Sequence, residues 1–296
     1  MHRKGIIMAK RRYGDRKDAS LVRDLDGMHF IMPLIYPNRC DNEAFISERL
    51  DLTNLNAYLE KKNADESAYK YNLFQVIVTA VLRTVVLRPK MNRFIANKTL
   101  YQRNDISASF VVKKVFSDDG GEGLAIIKAH ENDNIDTVHE AIYKNVSKAR
   151  GDKTSGSTED SMELFNKMPR FIARFLVSLV CVLDRHGKVP QSFIAEDPYY
   201  QSVVLTNLGS IKLHSGYHHL TNWGTNSLFV IVGERKKRPF YDDDGNMTLR
   251  DSVDIGLTVD ERIGDGYYFS KTVRILKKLI ENPELLDEPM SKEVEV

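Results

Sequence analysis

Residues 253–266 read VDIGLTVDERIGDG, a strand followed by a tight charged turn and the start of a helix. The turn itself is Asp260-Glu261-Arg262-Ile263-Gly264-Asp265-Gly266. The stretch after it, YYFSKTVRILKKLIENPELL, predicts a final helix from about Tyr267 to Glu281. Upstream, strands are predicted near 201–206, 227–233 and 252–259. Asp242-Asp243-Asp244-Gly245-Asn246 reads as the hairpin turn between the last two.

The amino-terminal half is mixed. Residues 43–50 read as a strand leading into a helix, where Leu52, Leu55 and Leu59 recur at helical spacing and Asp51 or Thr53 is the candidate cap. A second helix runs from Asn72 to Leu87 with one broad apolar face, and Pro89 ends it. Residues 106–115 and 123–128 read as strands joined by a turn at Asp118–Gly121. Ile135 to Val146 reads as a helix, and GDKTSGSTED (151–160) as a loop. Phe171 to Leu183 reads FIARFLVSLVCVL. It is interrupted by Arg174 and falls short of the ~20 residues that span a bilayer. Two readings stand: a buried helix, or an exposed apolar helix that covers a lipid-like acyl site or rests on a membrane surface. Arg170, Arg174, Arg185 and Lys188 suit the second.

A hydrophobic share of 42% with 28% charge, over 296 residues, is that of a soluble globular chain of one large domain or two small ones. No internal repeat or change of composition divides it. The expected organisation is a basic arm over 1–27, one domain over 28–290 and a tail over 291–296. The arm is read as solvated, with electrostatic docking as the alternative. A net charge of +2 supplies no field toward nucleic acid. Cys40 and Cys181 occur without CxxC, HExxH or clustered His/Cys spacing, so no metal site is expected. With no secretory signal sequence, a reduced, cytoplasmic chain is the expectation.

The turn resembles the HxxxDG motif, often DHRxxDG, of the 2-oxo acid dehydrogenase dihydrolipoyl acyltransferase catalytic domains, within the chloramphenicol acetyltransferase-like superfamily. Asp260, Arg262, Asp265 and Gly266 match, and Glu261 stands where that family keeps its catalytic histidine. Leu205-Thr206-Asn207-Leu208-Gly209 is similar to the family's ISNLG segment, and Phe229–Gly233 to the strand between the two motifs. RLDLTNL (49–55) and the NPELL ending agree as well, so the resemblance covers roughly residues 28–286.

What the resemblance implies is an α/β fold, a two-layer sandwich with a mixed sheet, assembled as a homotrimer with the active site in a channel between subunits. The family's serine hydroxyl helps hold the tetrahedral intermediate, a role that falls to Thr206, with Asn207 beside it. The Asp of the Asp-Gly pair, Asp265, is structural and pairs with an arginine, for which Arg23 and Arg39 are candidates. Gly266 allows close packing at the start of the helix. His218 and His219 lie in a stretch that contributes to the channel. They are either a substitute base or a histidine pair packed in a loop with Trp223. The lipoyl domains and Ala/Pro-rich linkers of complete dehydrogenase-complex subunits have no counterpart in the sequence, so a free coenzyme A thioester is the natural small-molecule donor.

The residue types weigh on the chemistry. A thiol has a reference pKa of ~8.5 and a glutamate carboxyl ~4.3, so proton transfer between them is uphill by about four units. For a histidine at ~6.5 the gap is about two. A glutamate base therefore needs desolvation, which raises carboxyl pKa values. Two functions follow from these residues. One is an acyltransferase moving an acyl group from a thioester to an unidentified acceptor, with Glu261 or a nearby His as base. The other is a catalytically inactive member of the fold that binds a ligand or a protein.

Overall fold

The computed structural model describes residues 12–65, 69–113, 122–151, 166–190 and 194–296. Two sheets form. A small one has the order β1 (Ala19–Leu21), β4 (Thr99–Arg103), β3 (Arg93–Ala96). The main sheet has the order β2 (Glu43–Asp51), β10 (Met247–Asp260), β8 (Leu228–Val232), β7 (Val203–Asn207), β5 (Ile106–Lys113), β6 (Glu122–Ala129). It is mixed: β7 runs parallel to both of its neighbours, β5 and β8, and the pairs β2–β10, β10–β8 and β5–β6 are antiparallel.

The sheet's two faces differ because side chains alternate along each strand. Val253, Ile255, Leu257 and Val259 of β10, with Val203 and Leu205 of β7, enter the main core. Helices α2 (Thr53–Lys62), α3 (Leu73–Leu87), α4 (Ile135–Gly151) and α6 (Gly266–Glu281) cover that face. The helix α3 is apolar nearly all round, and Val76 to Val85 are buried. Its start is set by a capping box. The Asn72 side chain accepts from the Gln75 N–H at 3.1 Å, and the Gln75 side chain accepts from the Asn72 N–H at 3.0 Å. Substituting Asn72 by Ala is expected to lower stability by about 1 kcal/mol, read as a shift of the urea midpoint. On the opposite face Val204, Phe229 and Ile231 form a small second core with Leu220. Among the described residues the segment after β7 runs back across that face.

The fold agrees with the expected two-layer sandwich and departs from several local expectations. The Asp242–Asn246 turn joins β10 to an additional strand, β9 (Lys236–Tyr241), and not to the 227–233 strand. Charged Lys236, Lys237 and Arg238 hide β9 from an apolar pattern, yet backbone pairing needs no apolar face. The described part of the 1–27 arm is mostly exposed, as Tyr13, Lys17 and Asp24 show, but a short stretch of it docks. β1 pairs with β4, Ala19 is 1% exposed, and the Arg16 guanidinium is buried in an ion pair with Asp18 at 2.8 Å. Residues 1–11, the Asp118–Gly121 turn and nearly all of the 151–160 loop lie outside the described residues. The tail is docked: Arg83, buried on α3, donates to the Lys292 carbonyl at 2.8 Å.

The buried-helix reading of Phe171–Leu183 is overturned. These residues lie in α5 (Arg170–Arg185), in which Phe171, Phe175, Val177, Leu179 and Val182 are exposed. Periodicity marks a helix, but only the neighbours decide what an apolar face meets. Cys40 and Cys181 are unbridged.

Candidate active site

The turn after β10 is built around a buried charge cluster. Asp260 ends β10 with its carboxylate fully buried, and Arg262 two residues on is 1% exposed. Arg262 grips Asp260 through two bonds, Nε to Oδ1 at 2.8 Å and Nη2 to Oδ2 at 2.7 Å, and a third goes to the Tyr36 carbonyl at 2.7 Å. Arg39 approaches the same carboxylate at 3.8 Å. Burial pushes the Arg39 guanidinium down, against the pull of Asp260. Its donors go to the carbonyls of Thr221, Ile95 and Gly224 at 2.5, 2.9 and 3.2 Å. One arginine thus ties the turn to the small sheet and to the 221–224 loop.

Within this turn the Glu261 side chain is exposed, while Arg262, Ile263 and Gly264 beside it are buried. Its backbone is fixed independently, since its N–H donates to the Asn42 carbonyl at 2.9 Å. The short helix α1 (Gly27–Ile35) packs beside the turn and leaves Met28, Phe30, Leu34 and Ile35 exposed.

Two expectations about the Asp-Gly pair need correction. Asp265 has no arginine partner among the described residues. It is the N-cap of α6 and accepts from the Tyr268 N–H at 2.8 Å, which holds its carboxyl below the usual carboxylate range. Arg23 pairs with Asp15, and Arg39 serves Asp260. Nor does Gly266 permit a close approach, since a Cβ there would meet open space. The tightly packed glycine is Gly264, where a Cβ would lie 3.3 Å from the Tyr268 ring. The cluster that holds the turn is Asp260–Arg262–Arg39, which spacing alone did not single out.

Thr206 is half-buried near the end of β7, and the Asn207 side chain caps the following turn by accepting from the Ser210 N–H at 3.2 Å. Gly209 of this segment packs on Gly233 at the end of β8: a Cβ on Gly209 would lie 2.5 Å from the Gly233 carbonyl oxygen. From there the chain crosses the second face. Ser215 lies against Gly233, Gly216 against Gly256, and Tyr217 rests on the Phe45 ring at 5.0 Å. His218 stacks on Phe229 at 4.2 Å and on His219 at 4.6 Å, and the Leu220 N–H donates to the Glu43 carboxylate. The glycines at 233 and 256 are what let this segment lie flat on the sheet.

The histidine pair is therefore packed, but on Phe229. Trp223 instead donates to Asp197 at 2.7 Å and meets the Tyr200 ring edge-on. The His218 and His219 Nδ1 atoms face backbone carbonyls at 2.8 and 3.2 Å, and His219 is exposed. Neither ring hydrogen-bonds Glu261 among the described residues. Both segments do meet the 39–43 stretch: Asn42 holds Glu261, and Glu43 holds Leu220. His219 and Glu261 thus belong to the same end of the sheet.

Thr206 does not. It lies opposite Ile231, and Ile231 lies opposite Gly256. Glu261 is five residues beyond Gly256 along the chain. At ~3.3 Å per residue and ~4.8 Å per strand, Thr206 and Glu261 are roughly 20 Å apart within one chain. At that separation the two side chains of one chain cannot act on the same carbonyl. Among the described residues no group of three or more His, Cys, Asp or Glu side chains is placed to hold a metal ion.

Comparison with known proteins places this architecture. Residues 194–287 match the family model of the 2-oxoacid dehydrogenases acyltransferase catalytic domain. No curated protein matches the chain in sequence. Among solved structures, a probable dihydrolipoamide acetyltransferase from Listeria monocytogenes aligns over 94% of this chain and 98% of its own, with 18% identity and a TM-score of 0.57. The dihydrolipoamide acetyltransferase of Azotobacter vinelandii aligns over 90% and 93%, with 15% identity and a TM-score of 0.58. A chloramphenicol acetyltransferase aligns over 90% and 99%, with 13% identity and a TM-score of 0.52. Residues 194–287 are thus similar in sequence to the 2-oxoacid dehydrogenases acyltransferase catalytic domain, and nearly the whole chain shares the fold of the dihydrolipoamide acetyltransferase and chloramphenicol acetyltransferase structures.

Proposed function

We propose that the protein is an acyltransferase that moves an acyl group from coenzyme A to a hydroxyl or thiol acceptor, at sites formed between subunits of a homotrimer. The observation that carries this reading is the turn at Asp260–Gly266. A buried, bidentate ion pair holds it rigid while Glu261 stands free at the end of the sheet. Placement of a reacting group by a rigid support is what proton transfer in a transition state requires.

In this mechanism the Glu261 carboxylate takes the proton of the acceptor as its oxygen or sulfur attacks the thioester carbonyl. The Thr206 hydroxyl of a neighbouring subunit donates to the oxyanion of the tetrahedral intermediate. Collapse breaks the carbon–sulfur bond, and the departing coenzyme A thiolate takes the proton back from Glu261. The neighbour supplies a second need. Glu261 is exposed in one chain, and covering it would give the desolvation that brings a carboxylate closer to the proton affinity of its substrate. The exposed apolar face of α1 beside the turn suits that contact. His219, at the same end of the sheet, is the reserve candidate for the base.

Subunit complementation tests the arrangement. Thr206→Val and Glu261→Gln chains, each alone, are expected to release little thiol from acyl-coenzyme A substrates. The loss for Thr206→Val should be about 10²–10³-fold. Mixed oligomers refolded from both chains should recover part of the wild-type turnover, because some interfaces then hold an intact Thr206 and an intact Glu261. Two inactive parents with no recovery on mixing would sink the shared site. The exposure of Glu261 favours one rival, an inactive protein that binds a thioester. Calorimetric binding with no thiol release across a panel of acyl chain lengths would establish it.

A further inference from the structure

The helix α5 carries two apolar stripes. Ala173, Leu176, Val180 and Leu183 recur at helical spacing and are partly buried, so they face the body of the protein. Phe171, Phe175, Leu179 and Val182 recur on the adjoining face and are exposed, at 75, 69, 47 and 49%. Beside this outer stripe, at about 100° per residue, lie Arg170, Arg174 and Arg185. None of the three forms an ion pair among the described residues, and Lys167 and Lys188 stand exposed at the two ends.

The helix has one acidic residue, and it faces inward. Asp184 is buried and accepts from the Tyr200 hydroxyl at 2.5 Å and from the Gly224 N–H at 3.3 Å. Burial holds its carboxyl above the usual carboxylate range despite these bonds. Arg16 donates to the Asp184 carbonyl at 3.2 Å and lies against Gly187, whose φ of 63° turns the chain away after the helix. The carboxy-terminal end of α5 is thus fastened, and the exposed face of the helix is apolar and cationic.

We propose that α5 lies in the surface of an anionic lipid bilayer, with Phe171, Phe175, Leu179 and Val182 among the acyl chains and the arginines at the headgroups. The long arginine stems allow the charges to reach phosphate while the apolar stripe sinks below them. The helix lies in the plane of the membrane: no helix among the described residues is long and apolar enough to cross one. Charge chooses this occupant over a second copy of the chain. Two α5 helices face to face would bring their arginine ridges together with no exposed acid on either to meet them, whereas anionic headgroups provide the countercharge. The exposed face of α1 differs, because it carries no lysine or arginine. The proposal rests on α5 alone and does not depend on acyl transfer.

Vesicle sedimentation of the full chain tests it. The protein is expected to pellet with phosphatidylcholine vesicles that contain phosphatidylglycerol, weakly with phosphatidylcholine alone, and less as salt is raised. A Phe175→Asp variant should lose the binding, and replacing Arg170, Arg174 and Arg185 together by Gln should weaken it about 100-fold. A Phe175→Trp variant reads insertion directly, as a blue shift of its emission on the anionic vesicles. Binding that ignores lipid charge, or that survives Phe175→Asp, overturns the proposal. So does an absent blue shift, or a change of oligomeric state by Phe175→Asp in lipid-free ultracentrifugation, which would assign the stripe to a contact between copies.

Discussion

Replacing Glu261 by Gln is expected to lower acyl-coenzyme A turnover by about two to four orders of magnitude. Glutamine keeps the size and much of the hydrogen bonding of glutamate, but it cannot accept the proton that the acceptor must lose. The backbone position is insured against the change, because the Glu261 N–H donates to the Asn42 carbonyl whatever the side chain is. The unfolding midpoint should therefore stay at its wild-type value while the rate falls. Turnover is measured as thiol release, with the acceptor saturating. An unchanged rate would remove Glu261 from the chemistry. His219→Ala is then the decisive second variant, since His219 lies at the same end of the sheet and presents one ring nitrogen free of the Leu220 carbonyl. Wild-type turnover in both variants would leave the site without a base and favour the binding protein.

The second large effect is on stability. Replacing Asp260 by Ala is expected to cost about 3–5 kcal/mol, because it strips the counter-charge from Arg262 and Arg39 in a site closed to water. The cost comes mainly from the cations left behind, not from the net worth of the ion pair. The double replacement Asp260→Leu with Arg262→Met should accordingly be less destabilised than Asp260→Ala, since one of the stranded charges goes too. Urea midpoints with a common slope would show it. A double variant as unstable as the sum of its parts would mean that the pair acts through geometry alone. In either case the turn that carries Glu261 loses its support, so Asp260→Ala should also lower turnover even at temperatures where it is fully folded.

The order of motifs along the chain carries much of the fold. The Thr206–Gly209 segment, the Phe229–Gly233 strand, the Asp260–Gly266 turn and the last helix occur in sequence and at a spacing that the sandwich requires. Their chemistry is local: alternation makes a strand, a capping residue starts a helix, and a glycine marks a close approach. For the same reason the capping of α6 by Asp265 and of α3 by Asn72 leaves a trace in sequence. The site was less legible. That Asp260, and not Asp265, takes the arginines depends on Arg39, which lies 221 residues upstream and is brought in by the return of the chain. Burial of that cluster is a property of three segments at once, and no pattern within any one of them reports it.

The sequence by itself determined the mixed α/β class, the position of the Glu261 turn at the end of a strand, and the helical, apolar character of Phe171–Leu183, because periodicity and turn chemistry are written in neighbouring residues. Only the tertiary structure decided that Thr206 and Glu261 sit at opposite ends of the sheet, that the histidine pair stacks on Phe229, and that α5 turns an apolar stripe outward. The physical reason is the same for all three. Which side chains meet, and which face remains uncovered, is set by strand register and by the path of the chain across the sheet, and these bring together residues far apart in sequence.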